Sequence, residues 1–373
     1  MPCKNREVPK LILCFIADGR SIHTQRWAEY FVAKGHEVHL VTYDPMSHPI
    51  PGVSEHVVSS RWKNLYLAFL PRRMAIKRLV KKIHPDLIHA HFITKYGFHL
   101  LSFPTRPKVA SAWGDDVLIL PKQSRLIRFY TKKVFDTVDR IYAVSANIRT
   151  HIIEDFDIPP QKVFYLPFGI DTDLFSPASD TPQNRTTIEI FNNRGFFPVY
   201  DGETLVQGFA AAYAVDRRLR LTLKGDGPEE QKIQDLVTLL GVDEVVTFRK
   251  KTAYADVPTD YHHSDIFITT SRSDGTPVSL LEAMASAVPC IATAVGGIPE
   301  WIDDKRTGIL IPPGSPEKVA ETILLLARDP KLRESLGMAA RATVVERGQW
   351  KTLMAMAEKD YEELIRTYRK EKS

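Results

Sequence analysis

Cysteine is nearly missing from this chain: three in 373 residues (Cys3, Cys14, Cys290), an odd number without metal-ligand spacing. That leaves no disulfide framework and no cysteine-based metal site to build on. Long hydrophobic runs are missing as well. The longest uncharged apolar run near the N-terminus, Leu11 to Ala17, is far short of the roughly 20 residues of a membrane-spanning helix, and no small-residue cleavage site follows it. The expectation is a soluble, unprocessed chain in a reducing cytoplasm. Internal repeats with periods of 20 to 50 residues are also absent. What is present, 44% hydrophobic and 25% charged residues, is ordinary globular composition. It rules out a fibrous or largely disordered chain, and at roughly 100 to 200 residues per domain the length suggests two domains.

The net charge of +5 is unevenly spread. Residues 1–170 carry 25 Lys+Arg against 14 Asp+Glu, and the remainder carries 25 against 31. A basic first half and an acidic second half suggest domains with different partners, the first facing something anionic: a membrane surface, a phosphorylated acceptor or nucleic acid.

Apolar runs of strand length alternate with amphipathic helical patterns through both halves. In the first half the runs are Lys10 to Ala17, Glu37 to Thr42, Asp86 to His91, Lys108 to Ala112 and Arg140 to Ser145. In the second they are Ile188 to Phe191, Leu219 to Leu223, Val245 to Phe248, Ile266 to Thr269, Cys290 to Thr293 and Gly308 to Ile311. Helical segments there begin with proline in the first turn, at Pro228, Pro277 and Pro316, where a missing N–H is harmless. Residues 176–187, SPASDTPQNRTT, have linker composition. The expected architecture is two doubly wound parallel-sheet α/β domains with a ligand cleft between them.

The segment Ser271 to Ala285, SRSDGTPVSLLEAMA, carries the most chemistry. Asp274 sits in a Gly/Pro loop and Glu282 eight positions later on the following helix. The start of that helix, with Gly275, Thr276 and Ser279, offers free backbone N–H groups and a positive dipole end to a phosphate. Asp274 and Glu282 could then hold hydroxyls on either side. Taken alone, Asp274 reads equally as a helix cap and Glu282 as a solvated helix residue. Other phosphate-binding signals stand nearby. KGDGP, with Lys224 and Gly225, follows a strand and opens a helix. Arg194 follows the strand IEIFN, and AVGGIPEW supplies a third glycine turn. Arg194 could neutralise a diphosphate by a bidentate fork and Lys224 as a point charge, or either could be a surface cation.

Together these motifs make the chain resemble glycosyltransferase family 4, the retaining nucleotide-sugar transferases of the GT-B fold. The landmarks run in order: SIHTQRWAEYFVAKGHEVHLVT, DLIHAHF, WGDDV, RIYAVSANIRTHI, KVFYLPFGIDTDLF, KGDGPEE and SRSDGTPVSLLEAMASAVPCIATAVGGIPEWI. The resemblance implies that Glu282 binds the donor ribose, that Arg194 binds the diphosphate, and that Asp274, where the family usually has Glu, lies near the donor sugar. The usual lysine companion of Arg194 falls near Tyr200, and Lys224 is the candidate to compensate. His91 matches the histidine beside the reaction centre; read without the family it is a core histidine at a strand end. Gly19 and Arg20 of DGRS, with one glycine where many members have two, and Gly114 and Asp116 of WGDDV fall in the acceptor-side loops. Phe168 replaces a common asparagine.

The implied organisation is an acceptor domain over residues 1–175, a linker over 176–187, a donor domain over 188–349 and a C-terminal helix over 350–373 crossing back to the first domain. The implied reaction moves a sugar from a nucleoside-diphosphate donor to a hydroxyl of a glycan or lipid-linked acceptor, as in polysaccharide or glycolipid synthesis. The nucleotide-sugar is then a substrate, and no cofactor is required. Two D-x-D patterns, Asp155 to Asp157 and Asp171 to Asp173, resemble metal-binding triplets of another transferase fold, but no metal is expected because Arg194, Lys224 and a helix N-terminus supply positive charge. A nucleotide-sugar epimerase and a non-catalytic scaffold of the same fold are the alternatives. Nucleic acid is not an expected partner. An anionic membrane surface is, through residues 61–82, where Pro71 could start a helix with Ile76, Leu79, Val80 and Ile83 on one face and Arg73, Lys77 and Lys81 on another; Trp62, Leu65, Tyr66 and Phe69 are candidate interfacial anchors. An ordinary sheet-covering helix with a solvated cationic face explains the same pattern.

Overall fold

The computed structural model describes residues 10–60, 62, 65–103, 107–178 and 186–372. Cys3, Arg61, Lys63, the side chains of Leu65 and Tyr66, and residues 179–185 of the expected linker lie outside that description.

The chain divides into two compact units. The first contains the strands β1 (Ile12–Ile16), β2 (Glu37–Thr42), β3 (Val53–Val57), β4 (Leu87–His91), β5 (Lys108–Ala112), β6 (Arg140–Ala143) and β7 (Val163–Tyr165). They form one sheet in the order β3-β2-β1-β4-β5-β6-β7, parallel throughout. The second contains β8 (Ile188–Asn192), β9 (Leu219–Lys224), β10 (Val246–Arg249), β11 (Ile266–Thr269), β12 (Cys290–Thr293) and β13 (Ile309–Ile311), ordered β10-β9-β8-β11-β12-β13 and again parallel. In each sheet the first strand has its successor on one side and a later strand on the other. That reversal, between β1 and β4 and between β8 and β11, is where a doubly wound sheet opens a crevice at its carboxyl edge.

Apolar runs become central strands because parallel sheets are covered on both faces. Every residue of β4 and of β5 is buried. In the second unit one face carries Phe209, Leu221, Leu223 and Ile323, and the other carries Phe191, Phe267, Leu281 and Met284. Two strands escaped the apolar-run criterion. β3 (VSEHV) has no fully buried residue, and β7 is three residues long at the sheet edge.

The division of the chain departs from the expected boundary at 175. Residues from Pro167 group with the second unit, because Ile170 donates to the Gly348 carbonyl at 2.7 Å, accepts from Trp350 N at 3.0 Å, and packs with Phe175 in the second unit's core. Residues 145–147 also group with that unit. The last helix, Trp350–Lys372, changes unit within its first turn, and from Met354 it groups with the first. Tyr361 stacks on Phe31 at 5.1 Å and hydrogen-bonds His89, while Asp360 accepts from Tyr142 Oη and pairs with Arg140, each at 2.8 Å. Among the described residues, no helix is long and apolar enough to cross a membrane.

Candidate active site

At the carboxyl edge of the second sheet, four strand-end loops interlock. The loop after β12 folds onto the loop after β11: Gly297 N donates to the Asp274 carbonyl at 3.0 Å, and a Cβ on Gly296 or Gly297 would stand 1.8 Å from the carbonyl oxygen of Asp274 or Gly275. Only glycine fits there. On the other side of the switch point, the loop after β9 lies against that after β8, with the Gly225 Cβ position 2.5 Å from Gly195 Cα and Phe196 N donating to the Asp226 carbonyl at 3.0 Å. The glycines therefore act first as contact points between loops, which fixes the loops' backbones before any ligand arrives.

Arg194 stands in the middle of this framework. Its Nη2 pairs with Asp274, its Nη1 reaches Ser279 Oγ at 3.4 Å, and its guanidinium lies 4.2 Å over the ring of Tyr200. Its Nε is buried and makes no hydrogen bond. Ser279 is in the first turn of the helix Val278–Ala285, for which Pro277 is the N-cap and Glu282 follows one turn later. Glu282 is buried and accepts from Tyr261 Oη at 2.8 Å; burial and then that carboxylate hold the Tyr261 phenol far above its ordinary pKa. Thr276 is buried in the loop just ahead of Pro277. The structure thus brings together Arg194, Asp274, Gly275, Thr276, Ser279 and Glu282, with Gly225 on the neighbouring loop.

Lys224 departs from its expected role as a free charge for a diphosphate. It ends β9 with its side chain buried, and its ammonium is held by Asp260 and by Thr252 Oγ1 at 2.6 Å. Asp260 also accepts from Arg249 at 2.7 Å, so the three form a charge network that joins β9, β10 and the helix Val257–His262. Asp274, expected near a sugar hydroxyl, has Arg194 on its carboxylate. Sequence reasoning missed Tyr261, whose only signal was an aromatic just ahead of β11, and it met Tyr200 only as a departure from a family lysine.

In the first unit His91 is the last residue of β4 and is buried. Its Nδ1 lies 3.2 Å from Thr24 Oγ1, and its ring stacks on Phe15 at 5.6 Å and contacts Trp113 at 5.4 Å. Nε2 is buried without a hydrogen bond. Burial, aided by His23, pushes the His91 pKa down to about 3, so the ring is neutral at physiological pH. Asp116, expected in an acceptor-side loop, instead holds that loop together: it is fully buried and accepts from Ile93 N at 2.7 Å, Gly114 N at 2.9 Å and Trp113 N at 3.0 Å. Burial raises its pKa to about 6 against the pull of those donors. Gly19 N donates to Thr42 Oγ1 at 2.9 Å, and the half-exposed Arg20 pairs with Asp18 and Asp44.

Both D-x-D patterns serve as local structure. Asp171 accepts from Asp173 N and Leu174 N at 3.0 and 3.2 Å, and Asp173 pairs with Lys351 at 2.9 Å. Asp155 pairs with His151 one helical turn away, and Asp157 adopts a left-handed backbone.

Two sheets wound in this way, each with polar side chains gathered at its switch point, make a two-domain Rossmann-like architecture. Residues 187–343 match the family model "Glycosyl transferases group 1" and residues 12–145 match "Glycosyl transferase 4-like", together more than three quarters of the chain. The chain belongs to this glycosyltransferase family and has the GT-B fold. It is 28% identical to the N-acetyl-alpha-D-glucosaminyl L-malate synthase of Bacillus anthracis, over 89% of this chain and 91% of that one. It is also 28% identical to a GDP-mannose-dependent alpha-(1-6)-phosphatidylinositol monomannoside mannosyltransferase of Mycobacterium tuberculosis, over 66% and 67%. Among solved structures, sucrose-phosphate synthase of Thermosynechococcus elongatus superposes with a TM-score of 0.82 at 18% identity, covering 96% of this chain and all of that one. Anabaena HepE in complex with UDP-glucose superposes with a TM-score of 0.80 at 17% identity, covering 95% of this chain and 100% of that one.

Proposed function

We propose that this glycosyltransferase takes its sugar from a nucleoside-diphosphate donor held by the second unit, and passes it to a hydroxyl with retention at the anomeric carbon and without a metal ion. The observation that carries this reading is Arg194: a guanidinium at the switch point, beside the first turn of a helix, with a buried Nε that no protein group satisfies. An unfilled buried donor costs about 1–3 kcal/mol, and a phosphate oxygen at that place recovers it. A diphosphate competes with Asp274 for the guanidinium and accepts from the helix N–H groups. Glu282, whose carboxylate accepts from Tyr261 Oη, binds donor hydroxyls in this reading. The relatives bearing GDP-mannose in their name and the neighbour solved with UDP-glucose support a nucleotide-sugar donor.

In the retaining route the acceptor attacks on the face from which the diphosphate leaves, and a departing oxygen takes the acceptor's proton. Catalysis then rests on stabilising the leaving diphosphate. His91, neutral and with an open Nε2, acts as a hydrogen-bond partner for a sugar or acceptor hydroxyl rather than as a proton store. The acceptor is a glycan or lipid-linked molecule, and the exposed Lys77, Arg78, Lys81 and Lys82 support docking on an anionic membrane face. A panel of nucleotide-sugars, scored for transfer and for the anomeric configuration of the product, tests the reading. Glu282→Gln should lower kcat/KM for donor about 10- to 100-fold, the equivalent of one hydrogen bond to a charged group. Turnover should survive EDTA. Inverted product, or loss on chelation with recovery on adding a divalent ion, removes the corresponding half of the mechanism. Donor incubated alone should keep its stereochemistry, unlike the substrate of an epimerase.

A further inference from the structure

A cavity of about 190 Å³ opens in the first unit, beyond the carboxyl ends of β2 and β4. Its floor is the ring of Tyr43, the residue after β2, fixed by a 2.6 Å hydrogen bond between its hydroxyl and His99 Nε2. Phe69, Phe98, Leu126 and Tyr130 form apolar walls, with the Phe98 and Tyr130 rings 5.8 Å apart. Leu126 is 60% exposed and Tyr130 41%, an unusual display of carbon at the mouth of a cavity.

Charge of one sign accompanies this carbon. Arg72, Arg73 and Lys95 line the cavity, and among the described residues no carboxylate does. The Arg72 guanidinium lies 4.0 Å over the Tyr43 ring with its Nε buried and without a hydrogen bond, and Lys95 Nζ is 5.3 Å from the same ring. Arg73 is anchored by Ser102 Oγ at 2.7 Å. The acids that act on Lys95 from outside, Asp18 and Asp44, are both paired with Arg20, so the region keeps an excess of cations. Burial lowers the Lys95 pKa, the mark of a cation short of solvent.

We propose that this cavity binds an anionic amphiphile, its apolar end between Phe69, Phe98, Leu126 and Tyr130 and its phosphate or carboxylate on Arg72 and Lys95. A dry cavity of about 150 Å³ accommodates a benzene ring, so this one suits an aromatic ring or a short stretch of alkyl chain. A bare sugar fits poorly, because the walls offer few hydrogen bonds. Lys95 follows His91 by four residues on the same strand-end segment, which makes the bound molecule the acceptor; this assignment of its role rests on the transfer reading above, whereas the ligand class does not.

Calorimetry with octyl phosphate below its micelle concentration tests the ligand class against octyl glucoside, which keeps the chain, and inorganic phosphate, which keeps the charge. Octyl phosphate should bind at least tenfold more tightly than either. Arg72→Gln and Leu126→Asp should each weaken it at least tenfold, with melting temperature and nucleotide-sugar affinity unchanged. Equal binding of octyl glucoside or of phosphate alone, or variants that bind as well as the parent, overturns the proposal. Competition between octyl phosphate and phosphatidylcholine vesicles containing phosphatidic acid, lost in Arg72→Gln, marks the source as a lipid headgroup; absence of competition marks a soluble amphiphile. If octyl phosphate binds as expected but no nucleotide-sugar is turned over, the transfer reading fails and the ligand class stands.

Discussion

The two units carry edge sites of opposite character. In the second, charges face charges: Arg194 on Asp274 within loops locked by glycine contacts, and Lys224 and Arg249, at the ends of β9 and β10, on Asp260 of the helix Val257–His262. In the first, His91 and His99 each keep a buried nitrogen without a partner, and three cations line a cavity that holds no carboxylate among the described residues. The difference matches the ligands proposed for the two edges. A rigid polar cradle suits a diphosphate, whose charges are the same for every nucleotide-sugar. A half-apolar, half-cationic hollow suits a variable molecule recognised by one anionic group and some carbon.

Lys224 breaks or confirms the first half of that contrast with the largest effect. Removing one member of a buried ion pair costs about 3–5 kcal/mol, because the other is left uncompensated. Lys224→Met should therefore destabilise the second unit by about 3 kcal/mol, at the low end because the half-exposed Arg249 stays on Asp260, as measured by urea unfolding. Its donor KM, measured in the cold where the variant is folded, should hardly move. A raised KM with unchanged stability would return Lys224 to the diphosphate.

That network shows what a linear chain conceals. The strands were legible wherever burial on both faces imposed an apolar run, as in β1, β2, β4, β5 and β8 through β13. β3 was not, since its half-exposed VSEHV pattern follows no such rule, and neither was the boundary at Pro167, which depends on hydrogen bonds between Ile170 and Gly348 far along the chain. The residues that meet at the second unit's edge, Arg194, Asp274, Ser279 and Glu282, could be picked out from their spacing and their likeness to a family. Their pairing could not: Arg194 and Asp274 are separated by 80 positions, and Lys224 and Asp260 by 36. Charge opposite charge across a sheet edge is a property of the register, and local sequence carries no trace of it. The cavity over Tyr43 was invisible for the same reason, as its walls come from three separate segments.

Gly296 tests whether the second unit's edge, the proposed donor site, depends on loop contact. Its φ is +53° and a Cβ would meet the Asp274 carbonyl oxygen at 1.8 Å, whereas Gly241, at φ +65°, has nothing within 4 Å. Overpacking costs about 1–3 kcal/mol and a left-handed conformation about 1–2 kcal/mol. Gly296→Ala should thus lose about 3 kcal/mol, together with donor affinity, and Gly241→Ala only about 1 kcal/mol with affinity intact. Equal losses in thermal unfolding would mean that conformation alone matters and that the loops are not locked by contact.

Acid should separate the units next. His91 and His99 both have folded-state pKa values near 3, lowered chiefly by burial, against about 6.5 unfolded. Below pH 6.5 the unfolded chain binds protons that the folded chain refuses, so stability falls with pH, by about 2 kcal/mol per histidine between pH 7.5 and 5. His89 adds to this loss. Asp116 opposes it: with a folded pKa near 6, above its unfolded value, it contributes on the order of 1 kcal/mol in favour of folding as pH falls over the same range. The two histidines outweigh Asp116, which leaves a net loss on the order of 2–3 kcal/mol in the first unit. Amide hydrogen exchange at the two pH values should show protection falling in β4 and β5 and holding in β11 and β12. Uniform loss across both sheets would refute a unit-specific origin.

The smallest expected effect concerns the two faces of the helix Leu65–Ile83, which begins before Pro71 rather than at it. Its apolar side, Ile76 and Val80, is buried, and the cationic row read from the sequence splits in the fold: Arg73 turns in to Ser102, while Lys77 and Lys81 remain exposed. If these lysines meet an anionic membrane, each contributes on the order of 1 kcal/mol to binding, about fivefold in affinity, and Lys77→Gln with Lys81→Gln should weaken co-sedimentation with phosphatidylglycerol vesicles roughly 30-fold at low salt. Folding stability should move by less than about 0.5 kcal/mol, as for any exposed charge. The matched change in the second unit, Lys250→Gln with Lys251→Gln, removes two exposed lysines that already pair with Glu230 and Asp226, and it should leave vesicle binding as it was. Equal weakening by both pairs would reduce the effect to net charge. Recovery of the parent protein in the supernatant with both neutral and anionic vesicles would make the row an ordinary solvated face, and the anion binding proposed for the first unit would then rest on the cavity over Tyr43 alone.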